Sequence, residues 1–94
     1  MATDLNNLAM LLYSQAKYEE AEALYRQAMD IDIRALGRDH PGVATDLNNL
    51  AGLLKATGRT AEAKKMGLEA LAIVERALGP DHPDTTDYRE WWGA

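Results

Sequence analysis

The chain has 94 residues, enough for one domain, and 47% of them are hydrophobic. A formal net charge of −5 argues against nucleic-acid binding and against docking on an anionic membrane. The sequence contains no cysteine, no apolar run near the roughly 20 residues of a membrane span, and no basic N-terminal region of a signal peptide. We therefore expect a cytoplasmic protein without a disulfide framework or a thiolate metal site.

The first two predicted helices form a pair. Leucine and alanine recur at helical spacing over residues 3–16, and Thr3 or Asp4 is the expected cap. A second helix is expected from Tyr18 to Leu36, and Gly37 is suited to the position just past its end. The residues expected to face inward are Leu5, Leu8, Ala9, Leu12, Ala21, Leu24, Tyr25, Ala28, Ile31 and Leu36.

An octapeptide, Ala-Thr-Asp-Leu-Asn-Asn-Leu-Ala, occurs at residues 2–9 and again at residues 44–51, which gives a period of 44 − 2 = 42 residues. A fixed period of this size is typical of stacked repeat arrays. A third helix is therefore expected from Pro41 to about Thr57, and a fourth from Thr60 to Leu78. Asp39 or His40 is the expected cap of the third helix and Thr60 that of the fourth. The third helix is expected to bury Val43, Leu47, Leu50, Ala51 and Leu54.

The C-terminal segment restarts the pattern. Asp-His-Pro at residues 81–83 repeats residues 39–41, and residues 86–93 align with residues 45–52 after a one-residue deletion. Tyr88, Trp91 and Trp92 then share one helical face. We divide the chain, a single all-α domain of residues 1–94, into repeat one (2–43), repeat two (44–83) and a partial third repeat that forms a short capping helix (84–94).

Leu-x-x-Leu-Ala-x-x-Leu in the first helix and Ala-x-x-x-Tyr-x-x-Ala in the second resemble a tetratricopeptide repeat. The 42-residue period, with Leu-Asn-Asn-Leu-Ala and Gly-x-Asp-His-Pro, is similar to the repeats of kinesin light chains and their bacterial relatives. The resemblance implies a right-handed α-solenoid of antiparallel helix pairs. Its first helices would line a concave groove that binds a peptide or a partner protein.

The same resemblance implies which residues face the groove. Asn7 and Asn49 match an asparagine that bonds a ligand backbone in many relatives, although these side chains could equally solvate the groove or bond a neighbouring helix. Glu90 stands where relatives that clamp a carboxylate have a basic residue, which disfavours that ligand. The implied groove residues are Thr3, Asn6, Asn7, Met10, Tyr13, Ser14, Thr45, Asn48, Asn49, Gly52 and Lys55.

Residue types that could carry chemistry have simpler explanations. His40 and His82 lie one repeat apart in equivalent loops, so helix capping is favoured over a shared metal site. Glu19, Glu20 and Glu22 suit the first turn of a helix, where the helix dipole favours anions. The sequence shows no nucleophile–base or phosphate-loop signature, so we expect neither catalysis nor a cofactor.

Gly67 stands where repeat one has Tyr25. Glycine is unfavourable inside a helix, and here it would also leave a hole in the core where a tyrosine would fit. We hypothesise that Trp91 or Trp92 fills it, so that the tail is a lid; the alternative is that both tryptophans are exposed and contact a partner. The expected function is a non-catalytic interaction module that binds a peptide or protein. The alternative is a structural self-assembly unit, a homodimer or an end-to-end oligomer, because solenoids usually need about three repeats. The chain could also be a fragment of a longer array or of a signalling protein.

Overall fold

The chain forms five helices that run in sequence order. The computed structural model describes residues 2–93, and side chains from Asp4 onward; no strand occurs in that part of the chain. The predicted all-α fold is confirmed. The helices are α1 (Ala2–Ser14), α2 (Tyr18–Leu36), α3 (Pro41–Ala56), α4 (Thr60–Leu78) and α5 (Pro83–Trp92).

The short connections make sequential helices neighbours. Helix α1 packs against α2, α2 against α3, α3 against α4, and α4 against α5. The turn between α1 and α2 contains Ala16, which has a positive φ of 62°. Its counterpart in repeat two is Gly58, with a φ of 87°. Glycine adopts this backbone conformation without the steric cost that a Cβ atom brings, so repeat two has the better residue for the turn.

Two predicted helix caps are wrong. Helix α1 already runs through Thr3 and Asp4, so neither residue stands at its start. Thr60 is the first residue of α4, and Arg59 occupies the capping position without a side-chain hydrogen bond. Repeat two therefore begins its second helix without a side-chain cap.

The histidines of the two Asp-His-Pro motifs do cap helices. Nδ1 of His40 accepts a hydrogen bond from the backbone N–H of Gly42 at 2.9 Å, and Nδ1 of His82 accepts one from Asp84 at 3.1 Å. Each bond satisfies an N–H group that has no partner inside the helix. The proline after each histidine starts the helix, as expected from its missing N–H group.

Helix α3 is the centre of the core because α2 and α4 cover it from two sides. All five residues predicted to be buried on α3 are buried, and Leu53 is buried with them. On α1, by contrast, the predicted inward position of Leu8 is wrong: its side chain is 46% exposed, and Leu11 is 53% exposed. Leu36, at the end of α2, is also exposed. The matching residues, Leu50 and Leu53, belong to α3, which packs against the preceding helix α2, whereas α1 has no preceding helix among those described.

None of the helices in the described part of the chain is long and apolar enough to cross a membrane.

Candidate functional site: a groove along the first helices

Two side-chain hydrogen bonds join the first helices of the successive repeats. Nδ2 of Asn6 on α1 donates to Oδ1 of Asp46 on α3 at 3.0 Å. Nε1 of Trp92 on α5 donates to Oδ1 of Asn48 on α3 at 2.7 Å. The two bonds place α1, α3 and α5 along one side of the molecule, where two adjoining depressions form a groove.

The first depression lies between α1 and α3 over Tyr25 of α2, and it has a volume of about 330 Å³. Its floor is apolar and aromatic, while two amides stand at its wall. This combination suits an apolar side chain together with a polar backbone. The lining residues are Met10, Tyr13, Tyr25, Asn48, Asn49, Gly52 and Leu53.

The second depression continues the first toward α5 and has a volume of about 390 Å³. Asn48 and Gly52 belong to both. The ammonium of Lys55 lies 5.8 Å from the centre of the Trp92 ring, a distance at which a cation is attracted to an aromatic face. The lining residues are Asn48, Gly52, Lys55, Glu90, Trp91 and Trp92.

Six of the predicted groove residues line these depressions. They are Met10, Tyr13, Asn48, Asn49, Gly52 and Lys55.

The other predicted groove residues lie elsewhere or are occupied. Asn7 is exposed on α1 and lines neither depression. The hydroxyl of Thr45 donates to the carbonyl of Pro41, and that of Ser14 to the carbonyl of Leu11. The Thr3 side chain lies outside the described residues. Fewer residues therefore line the groove than the resemblance implied.

The four asparagines that the two repeats share have different roles. Asn6 and Asn48 are tied to neighbouring helices by the two bonds described above. Asn49 is half-buried at the wall of the first depression and makes no side-chain hydrogen bond to the described residues. An amide of this kind can both donate to and accept from a peptide bond. Asn49 is accordingly the polar group best placed for a ligand.

Gly67 and Trp92 are complementary in shape. Trp92 is 8% exposed, and a Cβ atom added to Gly67 would fall within 2.6 Å of Cε2 of Trp92. Of the two candidate tryptophans, it is therefore Trp92 that lies over the glycine. Trp91 is 55% exposed and stacks against Tyr88 with ring centres 5.8 Å apart. Trp91, the other candidate for the place over Gly67, lies instead at the rim of the groove.

The seam between the repeats contains a buried acid that sequence reasoning missed. Asp46 is 1% exposed, although its position in repeat one is held by the exposed Asp4. Burial and a hydrogen bond with the Asp32 carboxyl raise the pKa of Asp46 to about 7, against the lowering effect of Asn6. Two carboxyl groups can share such a bond only while one of them holds a proton. Tertiary contacts with α1 and α2 distinguish Asp46 from Asp4.

Tyr25 and Leu53 line the first depression, although the sequence analysis did not predict either of them as a groove residue. Both were assigned to the core or left unassigned, and both are buried beneath the first depression. Their helical spacing predicts burial and carries no signal that a depression lies above them.

Successive helix pairs with a groove along their first helices define a helical-repeat binding protein. The family model of the tetratricopeptide repeat matches residues 1–76 and, in a second match, residues 47–89. The chain therefore belongs to the tetratricopeptide repeat family, whose members generally mediate protein–protein interactions and are non-catalytic. No curated protein matches the sequence.

Proposed function

We propose that the chain binds an extended peptide segment of a partner protein in the groove formed by α1, α3 and α5. One observation carries this proposal: six residues expected at a ligand surface come from two separate helices, α1 and α3, and line one continuous groove. The floor is apolar, while Asn49 offers a donor and an acceptor to a peptide backbone. The 42-residue period supports a relationship to kinesin-light-chain-like repeats within the family.

The groove would hold its ligand by shape and backbone bonding. Glu90 lines the second depression where a carboxylate clamp would need a cation, so we propose a ligand whose C-terminal carboxylate is not the anchor. The net charge of −5 favours the approach of a basic partner through long-range attraction, an effect on the association rate more than on affinity. The proposed compartment is the cytoplasm, and the proposed activity involves no cofactor and no catalysis.

The test is a selection of random 12-residue peptides displayed on phage, followed by fluorescence polarisation with the selected peptides. Asn49→Ala should weaken binding about fivefold, because a hydrogen bond is worth about 1 kcal/mol. Gln27→Ala is the matched control, since Gln27 is exposed on α2 and lines neither depression. Equal affinities for the wild type and Asn49→Ala would contradict the proposed groove, as would equal losses in both variants.

Self-assembly is a second candidate function, and the exposed Leu8 and Leu11 on α1 favour it. Exposed apolar surface of this kind often marks an interface. Light scattering on a size-exclusion column across a concentration series distinguishes the two functions. A mass that rises with concentration supports self-assembly, and a constant monomer mass contradicts it.

A further inference from the structure

We propose that the outer face of α1 and α2 is a docking surface for the second helix of another tetratricopeptide repeat of the same kind as residues 2–43. This surface is separate from the peptide groove. The internal repeat carries the proposal, because repeat two has the same surface and shows what covers it.

The apolar part of the surface is a copy of a buried interface. Leu8 and Leu11 stand in repeat one where Leu50 and Leu53 stand in repeat two. The latter two are at most 1% exposed, whereas Leu8 is 46% exposed. Helix α3, which carries Leu50 and Leu53, packs against α2 of the preceding repeat. A helix like α2 would therefore cover Leu8 and Leu11 in the same way.

The charged part of the surface is copied as well. In repeat two, Arg59 binds Glu22 of repeat one at 2.8 Å, and Glu62 binds Arg26 at 3.3 Å. The equivalent charges in repeat one are Lys17 and Glu20, with the same signs.

Neither Lys17 nor Glu20 has an ion pair among the described residues. A third position agrees: Arg76 of repeat two binds Asp39 at 3.0 Å, and Arg34 is its equivalent in repeat one. Arg34 forms only a local pair with Asp30, one turn away on α2.

These matches define the chemistry of the occupant. It needs a helix with a carboxylate at the position of Glu22 and a cation at that of Arg26. It also needs small and aromatic residues at the positions of Ala21 and Tyr25, which α2 buries. A loop aspartate at the position of Asp39 completes the match.

A second intact copy of this chain is poorly suited to present such a helix. Helix α2 is already covered by α1 and α3, and α4 by α3 and α5. At α4, moreover, α5 places Trp92 over Gly67. A first helix from another copy would bring the small Ala9 to that place instead of Trp92 and leave a cavity there. The occupant is therefore a further repeat with its second helix available.

The experiment extends the full chain with a second copy of residues 2–43 placed before Ala2, so that the natural period continues. We expect a single thermal transition at a higher Tm than that of the 94-residue chain. In the extended chain, Leu8→Ala in the inner copy should lower the Tm by about 5 °C or more, as expected for a buried leucine. In the original chain, Leu8→Ala should change the Tm by no more than about 3 °C.

Two separate transitions in the extended chain would overturn the proposal, and so would an equally small effect of Leu8→Ala in both chains. Light scattering on the original chain tests the competing occupant. A monomer is expected; a dimer that Leu8→Lys dissociates would show that a second copy occupies the surface and would overturn the proposal. Asn49→Ala should leave these results unchanged, which keeps the surface on α1 distinguishable from the peptide groove.

Discussion

The indole ring of Trp92 on α5 lies directly over the backbone of Gly67 on α4, at a position where a Cβ atom on residue 67 would overlap the ring. The same ring donates a hydrogen bond to Asn48. A single residue of α5 therefore packs against α4 and also lines the groove.

Gly67→Ala should destabilise the protein even though alanine is the better helix former by about 1 kcal/mol. The new methyl group would overlap the Trp92 ring and force it out of its place. Gly52→Ala is the matched control: it lies inside α3, nothing stands within 4 Å of its added Cβ atom, and it should stabilise the protein by about 1 kcal/mol. Urea denaturation measures both. A Gly67→Ala variant as stable as Gly52→Ala would show that the ring does not rest on the glycine.

Trp92→Ala should cost about 3–5 kcal/mol, the usual cost of removing a buried aromatic side chain. Trp91→Ala should cost much less, because Trp91 is largely exposed at the rim of the groove. Truncation after Pro83 removes both residues and should unfold the chain or cause aggregation. Circular dichroism during heating checks all three variants, and a truncated chain that keeps its Tm would refute the role of α5 as a lid.

The contribution of Asp46 to the free energy of unfolding should fall as the pH rises from about 4 to about 7, and it should then level off. The folded pKa of Asp46, about 7, lies above its ordinary value of 3.8, so the folded state binds more protons than the unfolded state between these values. The effect is at most about 4 kcal/mol, since one pKa unit corresponds to about 1.4 kcal/mol. Asp32 is the charged group that faces this carboxyl from α2, and Tyr88 faces it from α5.

Asp46→Asn should remove this part of the pH dependence and stabilise the protein at pH 8, because the amide can donate to Asp32 without a proton from solution. Asp4→Asn, at the equivalent exposed position, is the control and should leave the pH profile unchanged. Unfolding free energies from urea titrations at several pH values provide the comparison. A wild-type profile that rises between pH 5 and 8 would mean that Asp46 is ionised in the folded protein.

Ala16→Gly should stabilise the protein by about 1 kcal/mol by relieving the left-handed backbone conformation of the first turn. Gly58→Ala should have the opposite effect at the equivalent turn of repeat two. Thermal unfolding of the two variants gives the comparison. Opposite signs are expected, and a loss of stability in both would indicate that the Ala16 side chain has a packing role.

Glu22 accepts hydrogen bonds from both Arg26 and Arg59 and thereby links α2 to α4. Glu22→Gln should lower the Tm more than Asp39→Asn, because Asp39 is far more exposed and has a single partner. The difference should shrink in 1 M NaCl, where the Debye length is about 3 Å. A difference that persists at high salt would indicate packing rather than charge as its cause.

The order of the helices and most of the core could be predicted from the sequence. The 42-residue period and the spacing of Leu47, Leu50 and Leu54 determine one buried face of α3, because helical periodicity is a local property. The same reasoning placed Leu8 inside, where it is not. A leucine is buried only if another helix covers it, and no local pattern reports whether that helix is present.

The tertiary structure alone decided what identical or similar residues do. Asn6 and Asn48 share a motif with Asn7 and Asn49, yet two of these amides join helices, and only Asn49 lines the groove without a side-chain hydrogen bond to the described residues. Asp4 and Asp46 are equivalent in sequence, yet only Asp46 is buried, because α1 and α2 lie beside it. The sequence by itself determined the period, the helices and the identity of the repeat. The environment of each copy depends on which neighbour packs against it, which is a relation between distant segments.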